Sequence, residues 1–366
     1  MPVPARGALL CNEGRWDVYR RAMNIIFVDD SFPFDGHSPN ERAMGAAEKA
    51  FASLPGALAK RGHAVRVYNR CDFPVLVDGA GWYPLDEGTP PANCEVLVAF
   101  RKPSLLDFIG KAERRFLWLT SSAGYLDKAR ASESLATWKP MLLVHGLEHQ
   151  ATVPRSAQSL RSAILPHGIG SAFTEAEAPE PAQPPRAVVT THPLAGLDWL
   201  LDLWVTRVKI ASPRAELHVF SAILDRGASG VELPEEYQPI LEKCLSLDNA
   251  GVVIRQPMAD PDMAEVYRTA RVHLYPGHAG EVYCGTLAES QAVGLPAVAR
   301  PLGATGERIE NGLTGFLAPD DEAFANLAIR MLDDDQTFSQ LSARARDMQR
   351  QWTWDKVAGE FEALLG

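Results

Sequence analysis

The segment 275–299, YPGHAGEVYCGTLAESQAVGLPAVA, holds the densest set of residues whose types and spacing could do chemistry. A strand-like run ends at Tyr275, a glycine-containing loop follows, and a helical pattern begins near Gly285 or Thr286. The unpaired N–H groups of a helix start, with the dipole behind them, favour a phosphate. Thr286 adds a hydroxyl donor in the first turn. Glu281 in the loop and Glu289 one turn into the helix can face one pocket, where carboxylates accept pairs of ribose or sugar hydroxyls. The same spacing also fits a Glu289 that complements the helix dipole and a Glu281 that is a solvated loop residue.

These groups must be positioned by an alternation of strands and helices. Residues 24–29 (NIIFVD) read as a buried strand, a Gly/Pro/Ser/Asp loop runs to Asn40, the helical pattern ERAMGAAEKAFASLPGALAKRG follows, and 64–68 is a second strand. This βαβ unit implies a parallel sheet with a right-handed crossover. Pro55 is expected to kink or break its helix. Further strands are expected at 95–100, 116–119, 141–144 and 162–165. Residues 174–186, TEAEAPEPAQPPR, carry almost no large apolar side chain and read as a solvated, semi-rigid linker. The rhythm then restarts, with strands at 187–190, 216–220, 252–255, 272–275 and 297–299 and helices at 197–210, 262–270 and 286–293.

The expected organisation is α/β: an N-terminal extension 1–22, a Rossmann-like domain 23–173, a linker 174–186, a second Rossmann-like domain 187–350, and a closing helix 351–366 that returns to the first. A ligand would lie between the domains, at the C-terminal ends of the strands. Met23 directly precedes the first strand, so residues 1–22 read as an extension or as an upstream start wrongly assigned. A chain beginning at Met23 is expected to keep its melting midpoint.

The 366 residues are 46% hydrophobic and 22% charged, an ordinary globular composition with apolar content for two cores. A net charge of -10 speaks against a nucleic-acid partner. It also disfavours anionic membrane globally, leaving peripheral membrane contact to a local basic patch. No apolar run approaches a membrane span, and the first residues are too weakly apolar for a signal peptide. The cysteines at 11, 71, 94, 244 and 284 are odd in number and lack CxxC spacing, which suits free thiols in a reducing, cytoplasmic setting and gives no zinc signature.

The segment from Glu281 to Glu289 resembles the Glu-x7-Glu motif of the retaining glycosyltransferases of family 4, the group 1 family. Five other stretches, in the same order as in that family, agree. GAAEKAFASLPGALAKRGHAV (45–65) resembles its first helix and strand, and LPHGIGSAF (165–173) the end of its N-terminal domain. GATGERIENG and NGLTGFLAPDD (303–321) resemble the stretch after the second Glu, and WTWDKVAGEFEALL (352–365) the closing helix. The resemblance covers nearly the whole chain beyond Met23 and implies the GT-B fold, two Rossmann-like domains facing each other across a cleft.

It further implies a metal-independent transfer of a sugar from a nucleotide diphosphosugar, the donor substrate, to an acceptor hydroxyl on a carbohydrate, lipid-linked or other molecule, with no cofactor. Glu289 would hold the donor ribose and Glu281 would contact the transferred sugar as the catalytic carboxylate. The amides of Tyr283, Cys284, Gly285, Thr286 and Leu287 would bind the diphosphate, and Gly45 would approach the donor phosphates or the acceptor. DPD (260–262) and DDD (333–335) look like metal motifs but fall in a turn and near a helix end.

Departures from the family pattern bear on activity. The family's Arg and Lys after the first C-domain strand fall at Thr190 and Ala195, and its active-site His at Thr120. A charge-assisted hydrogen bond is worth roughly 1.5–3 kcal/mol, so two missing cations cost about 3–6 kcal/mol, or roughly 10²- to 10⁴-fold. His192 and Arg300 are the nearest replacements along the sequence; each is also an ordinary loop residue type. His145, His149 and His167 read chiefly as structural polar residues near the cleft. The reading is a retaining glycosyltransferase. Its alternatives are a nucleotide-sugar epimerase of the same fold and a degenerate, non-catalytic GT-B domain that binds a sugar or a partner protein. A dehydrogenase is disfavoured because no GxGxxG follows the first strand.

Overall fold

The computed structural model describes residues 21–87 and 89–366. The expected extension 1–22 and Cys11 fall almost wholly outside the described residues.

The first-half strands are Asn24–Val28 (β1), Ala64–Asn69 (β2), Val75–Val77 (β3), Ala80–Pro84 (β4), Asn93–Phe100 (β5), Lys111–Trp118 (β6), Met141–Val144 (β7) and Ser162–Ile164 (β8). They form an 8-stranded sheet in the order β3-β4-β2-β1-β5-β6-β7-β8. Ile25, Ile26, Phe27 and Val28 are all buried, as a central strand covered on both faces requires. β3 and β4 pair antiparallel. Their two-residue turn, Asp78 at φ 53 and Gly79 at φ 86, needs left-handed backbone at both positions.

Helix Ala46–Lys60 (α1) crosses from β1 to β2 and runs through Pro55 without a break. The expected interruption is absent because Phe51, Leu54 and Leu58 bury on the sheet and hold the turns on both sides of the proline.

The second-half strands are Arg186–Val189 (β9), Glu216–Phe220 (β10), Val252–Arg255 (β11), Val272–Tyr275 (β12), Ala297–Ala299 (β13) and Gly315–Leu317 (β14). They form a 6-stranded sheet in the order β11-β10-β9-β12-β13-β14. The chain winds outward from β9 in one direction and from β12 in the other, so the crevice between these two strands is a topological switch point, where doubly wound sheets bind ligands. Helix Leu197–Leu203 (α2) continues to Ala211 through a π-helical turn at Trp204–Val208, which seats the buried Trp204 with its Nε1 donating to Ala250 O at 3.0 Å. Helices Asp260–Thr269 (α3) and Gly285–Val293 (α4) flank the crevice.

The Pro-rich segment before β9 is docked rather than wholly solvated. Glu180 N–H and Ala182 N–H donate to Arg268 O and Thr269 O at 2.8 and 2.9 Å, satisfying carbonyls at the end of α3. The final helix, Trp354–Ala363 (α5), packs on the first sheet. Phe361 lies 6.4 Å from Phe27 and 5.3 Å from Phe116 between ring centroids, and Arg61 pairs with Asp355 and Glu362. Burying one such ring contributes about 1.5–3 kcal/mol.

Candidate donor site

A cavity of about 330 Å³ lies at the switch point, lined from the first domain by Gly45, Ala46 and Lys49 and from the second by Thr190, His192, Glu281, Tyr283, Gly285, Thr286 and Glu289. A larger depression of about 700 Å³ sits at the N-terminal ends of β6–β8 among Arg114, Trp138, Lys139 and Arg161. Doubly wound sheets place their sites at the opposite, C-terminal ends, so the smaller cavity is the candidate.

Two helix starts meet there. Gly45 caps α1 and Cys284 caps α4, neither with a side-chain cap bond. A Cβ at Gly285 would come within 2.5 Å of Ala46 Cβ, so the two positive ends nearly touch. Gly285 N–H donates to Tyr283 O at 3.2 Å. The N–H groups of Thr286 and Leu287 have no partner among the described residues and remain for an anion. The side chains of Cys284 and Leu287 are buried in the core.

A buried relay aims Thr286. Burial pushes His273 down to about 3, so its ring is neutral. Its Nδ1 lies 2.9 Å from Ser290 Oγ and its Nε2 2.9 Å from Thr190 Oγ1. Thr190 in turn donates to Thr286 Oγ1 at 2.7 Å, which frees the Thr286 proton for a ligand oxygen. Thr190, where the resemblance calls for a cation, is here a hydrogen-bond link.

The two carboxylates line one cavity but sit in different surroundings. Glu281 Oε2 accepts from Tyr275 O–H at 3.1 Å, and burial raises its carboxyl above the usual range despite that bond. Its backbone is fixed by Ala304 N–H donating to Glu281 O at 2.9 Å. Burial pushes Glu289 up to about 7 and Asp260 adds to the rise, against the lowering pull of Lys49. Lys49 Nζ lies 2.8 Å from Glu289 Oε1 and 2.5 Å from Asp260 Oδ1.

The other residues singled out from the sequence are placed as follows. Arg300 does not enter the cavity: its Nε and Nη2 donate to Pro276 O and Gly277 O at 2.5 and 3.0 Å, and its guanidinium covers Trp199 at 4.4 Å. It braces the loop that carries Glu281, with two of its five donors on that loop's carbonyls. His192 does line the cavity, with Nε2 3.1 Å from Tyr237 Oη. Thr120 accepts from Arg101 Nε at 3.1 Å, and Arg101 also pairs with Glu48. His145, His149 and His167 cluster below Tyr283, the His167 and Tyr283 rings 3.9 Å apart. His149 Nδ1 accepts from His145 N–H at 3.2 Å, and burial pushes His167 down to about 3. His145 and His167 pack on Tyr283 across the domain contact, and His149 is held within the first domain, its Nε2 3.0 Å from Ser121 O. Ala195 lies in the turn before α2, its N–H donating to His192 O at 2.8 Å.

Lys49 and Asp260 were missed from the sequence as site residues, because the pair is made only by bringing two domains together. Asp260 of the DPD stretch is this buried partner. In the DDD stretch Asp333 accepts from Ser212, Asp334 caps a helix and Asp335 pairs with Arg271. Among the described residues no group of three His, Cys, Asp or Glu could hold a metal ion, Cys71, Cys94, Cys244 and Cys284 are free and buried, and no helix is long and apolar enough to cross a membrane.

Comparison with known proteins bears on the family and the fold. Residues 187–334 match the family described as Glycosyl transferases group 1. The chain is 30% identical over 199 residues to a D-inositol 3-phosphate glycosyltransferase of Thermomonospora curvata, covering 53% of this chain and 45% of that one. It is 31% identical over 135 residues to the protein of the same name from Xylanimonas cellulosilytica, covering 36% and 32%. The chain thus spans less than half the length of these curated relatives. Among solved structures, a sucrose-phosphate synthase from Thermosynechococcus elongatus superposes with a TM-score of 0.70 at 16% identity, over 94% of this chain and 98% of that one. Anabaena HepE in complex with UDP-glucose gives 0.64 at 16% identity, over 94% and 99%. Residues 187–334, the segment that carries Glu281 and Glu289, thus match the glycosyl transferases group 1 family, and the chain has the GT-B fold.

Proposed function

We propose that the protein is a retaining glycosyltransferase that moves a sugar from a nucleoside diphosphosugar to an acceptor hydroxyl, with residues 187–350 as the donor domain and 23–173 as the acceptor domain. The observation that carries this reading is the single cavity where Glu281, Glu289, the Thr286 hydroxyl and the open start of α4 converge. Such a set matches a ligand with a diphosphate between two polyols. Glu289 receives the ribose hydroxyls, α4 and Thr286 receive the diphosphate, and Glu281 contacts the sugar. The bond from the sugar carbon to the diphosphate oxygen breaks and the bond to the acceptor oxygen forms on the same face. The acceptor proton passes to the leaving diphosphate. The protein's share is positioning and stabilising the leaving charge.

The names of the curated relatives and the UDP-glucose in the HepE structure support a nucleotide-sugar donor. A second reading, a degenerate binding domain, is favoured by the uncharged Thr190 and Ala195 and by the engagement of Arg300 elsewhere. Calorimetric titration with uridine, guanosine and adenosine diphosphosugars tests both. The transferase reading expects one base to bind with one-to-one stoichiometry and to raise the melting midpoint by mass action. Absence of binding to all three contradicts it. We further expect the two halves to move about the segment 171–186 and the turn near Trp352. X-ray scattering should then show compaction at saturating donor, and identical profiles would indicate a rigid cleft.

A further inference from the structure

Lys49 belongs to α1 of the first domain, yet both its anionic partners, Glu289 and Asp260, lie in the second. The side chains are 11%, 9% and 6% exposed, so water screens the triad little. The ammonium also lies 5.2 Å from the centre of the Phe173 ring. Only Glu289 Oε1 is taken; Oε2 has no partner among the described residues. We propose that Lys49 is the positioning cation of the donor site: it spans the cleft and holds Glu289 charged and oriented to receive the ribose hydroxyls, with Asp260 fixing Lys49 in turn. This rests on the donor-site reading given above.

The physical case starts from the cost of burial. A buried ammonium with no partner would lose its proton, and the two carboxylates instead hold Lys49 above the ordinary lysine value against desolvation. In return the ammonium opposes the protonation that burial and Asp260 favour at Glu289. The protonation state matters because an ionised carboxylate accepts with both oxygens, whereas a protonated one turns one of them into a donor. Because the cation comes from the opposite domain, Glu289 is fully prepared only while the cleft is closed. Lys49 therefore links domain closure to donor recognition without touching the reacting atoms.

Other groups face this triad. Tyr267 of α3 and Tyr283 before α4 are pushed up by burial, and His167 and His273 down to about 3. The Arg308 guanidinium lies over the Tyr283 ring at 4.5 Å. None of these rings changes charge near neutrality, and within the triad Glu289 is the carboxyl that burial pushes up to about 7.

The test is calorimetric binding of uridine, guanosine and adenosine diphosphate to the full chain between about pH 6 and pH 9, bracketing the raised carboxyl. Wild-type affinity should fall as the pH drops through about 7, where Glu289 takes up its proton. Lys49→Met should move that fall to higher pH, leaving binding at least about tenfold weaker than wild type at pH 7 and within about threefold at pH 9. Asp260→Asn, which removes a like charge from beside Glu289, should move the fall to lower pH. Lys49→Arg should restore the wild-type profile. An unchanged profile in Lys49→Met, or a loss of the same factor at every pH, overturns the proposal. If Lys49→Met does not fold, Asp260→Asn decides: a shift to higher pH or no shift overturns it. A wild type that binds none of the three nucleotides overturns the donor-site reading and this proposal together. A wild type that binds while the variant profiles coincide overturns the role of Lys49 alone.

Discussion

Glu289→Gln is expected to weaken donor binding and, at pH 8, to raise the melting midpoint. Loss of the charged acceptor for the ribose hydroxyls should cost about 1.5–3 kcal/mol, or roughly 10- to 150-fold in affinity. The stability effect has the opposite sign. Glu289 stands at about 7 in the folded protein against an ordinary 4.5, chiefly through burial, then Asp260, with Lys49 opposing. A carboxyl whose folded value is raised contributes stability that is fully present below about 4.5 and is lost as the pH rises through about 7. Glutamine is neutral throughout, so it escapes that loss, and Lys49 keeps Asp260 as its partner. Thermal melts at pH 5 and pH 8 should show no gain for the variant at the lower pH and a gain at the higher. Binding lost while stability rises is the mark of a group kept for function. Unchanged affinity with a lowered midpoint would make Glu289 a helix-end residue only.

Gly303→Ala should damage turnover more than donor binding. Gly303 sits at φ 53, and a Cβ there would come within 2.5 Å of Glu281 O and 2.8 Å of His278 O. Both contacts are backbone, so the loop carrying Glu281 must move and the Ala304 N–H bond to Glu281 O must lengthen. Left-handed backbone alone costs alanine about 1–2 kcal/mol. Misplacing a positioned group by about 1 Å costs on the order of 10²-fold in rate. The start of α4 and Glu289 lie on a different element, so nucleoside diphosphate affinity should stay within about threefold of wild type. Steady-state turnover and calorimetry on the same protein check this. Equal losses in both would show that the loop and helix move together.

What was legible in the sequence was what local pattern determines. The strand ending at Tyr275, the loop and the helix from Gly285 could be read from apolar runs and glycine placement, and the structure has them there. The β3–β4 hairpin was missed although its Asp78-Gly79 turn is a short-range signal, because its strands are too brief to show alternation. Pro55 misled because propensity speaks for an isolated helix, whereas Phe51, Leu54 and Leu58 hold this one to a sheet. Arg300 was assigned to the diphosphate by closeness along the chain, but its side chain turns back under the loop, which only tertiary packing decides. Lys49 and Glu289 are 240 residues apart. No periodicity or spacing links them, and the pair exists only because two doubly wound sheets present their helix starts to each other.

The most direct test of the central claim follows the anomeric proton by NMR while the full chain acts on the nucleoside diphosphohexose that binds best. Slow transfer to water needs no knowledge of the natural acceptor. The account predicts release of nucleoside diphosphate together with a sugar that first appears in the donor's own anomeric configuration, abolished by Glu281→Ala. A sugar first appearing in the opposite configuration, or binding with no release of nucleoside diphosphate with or without a panel of sugar acceptors, would contradict it.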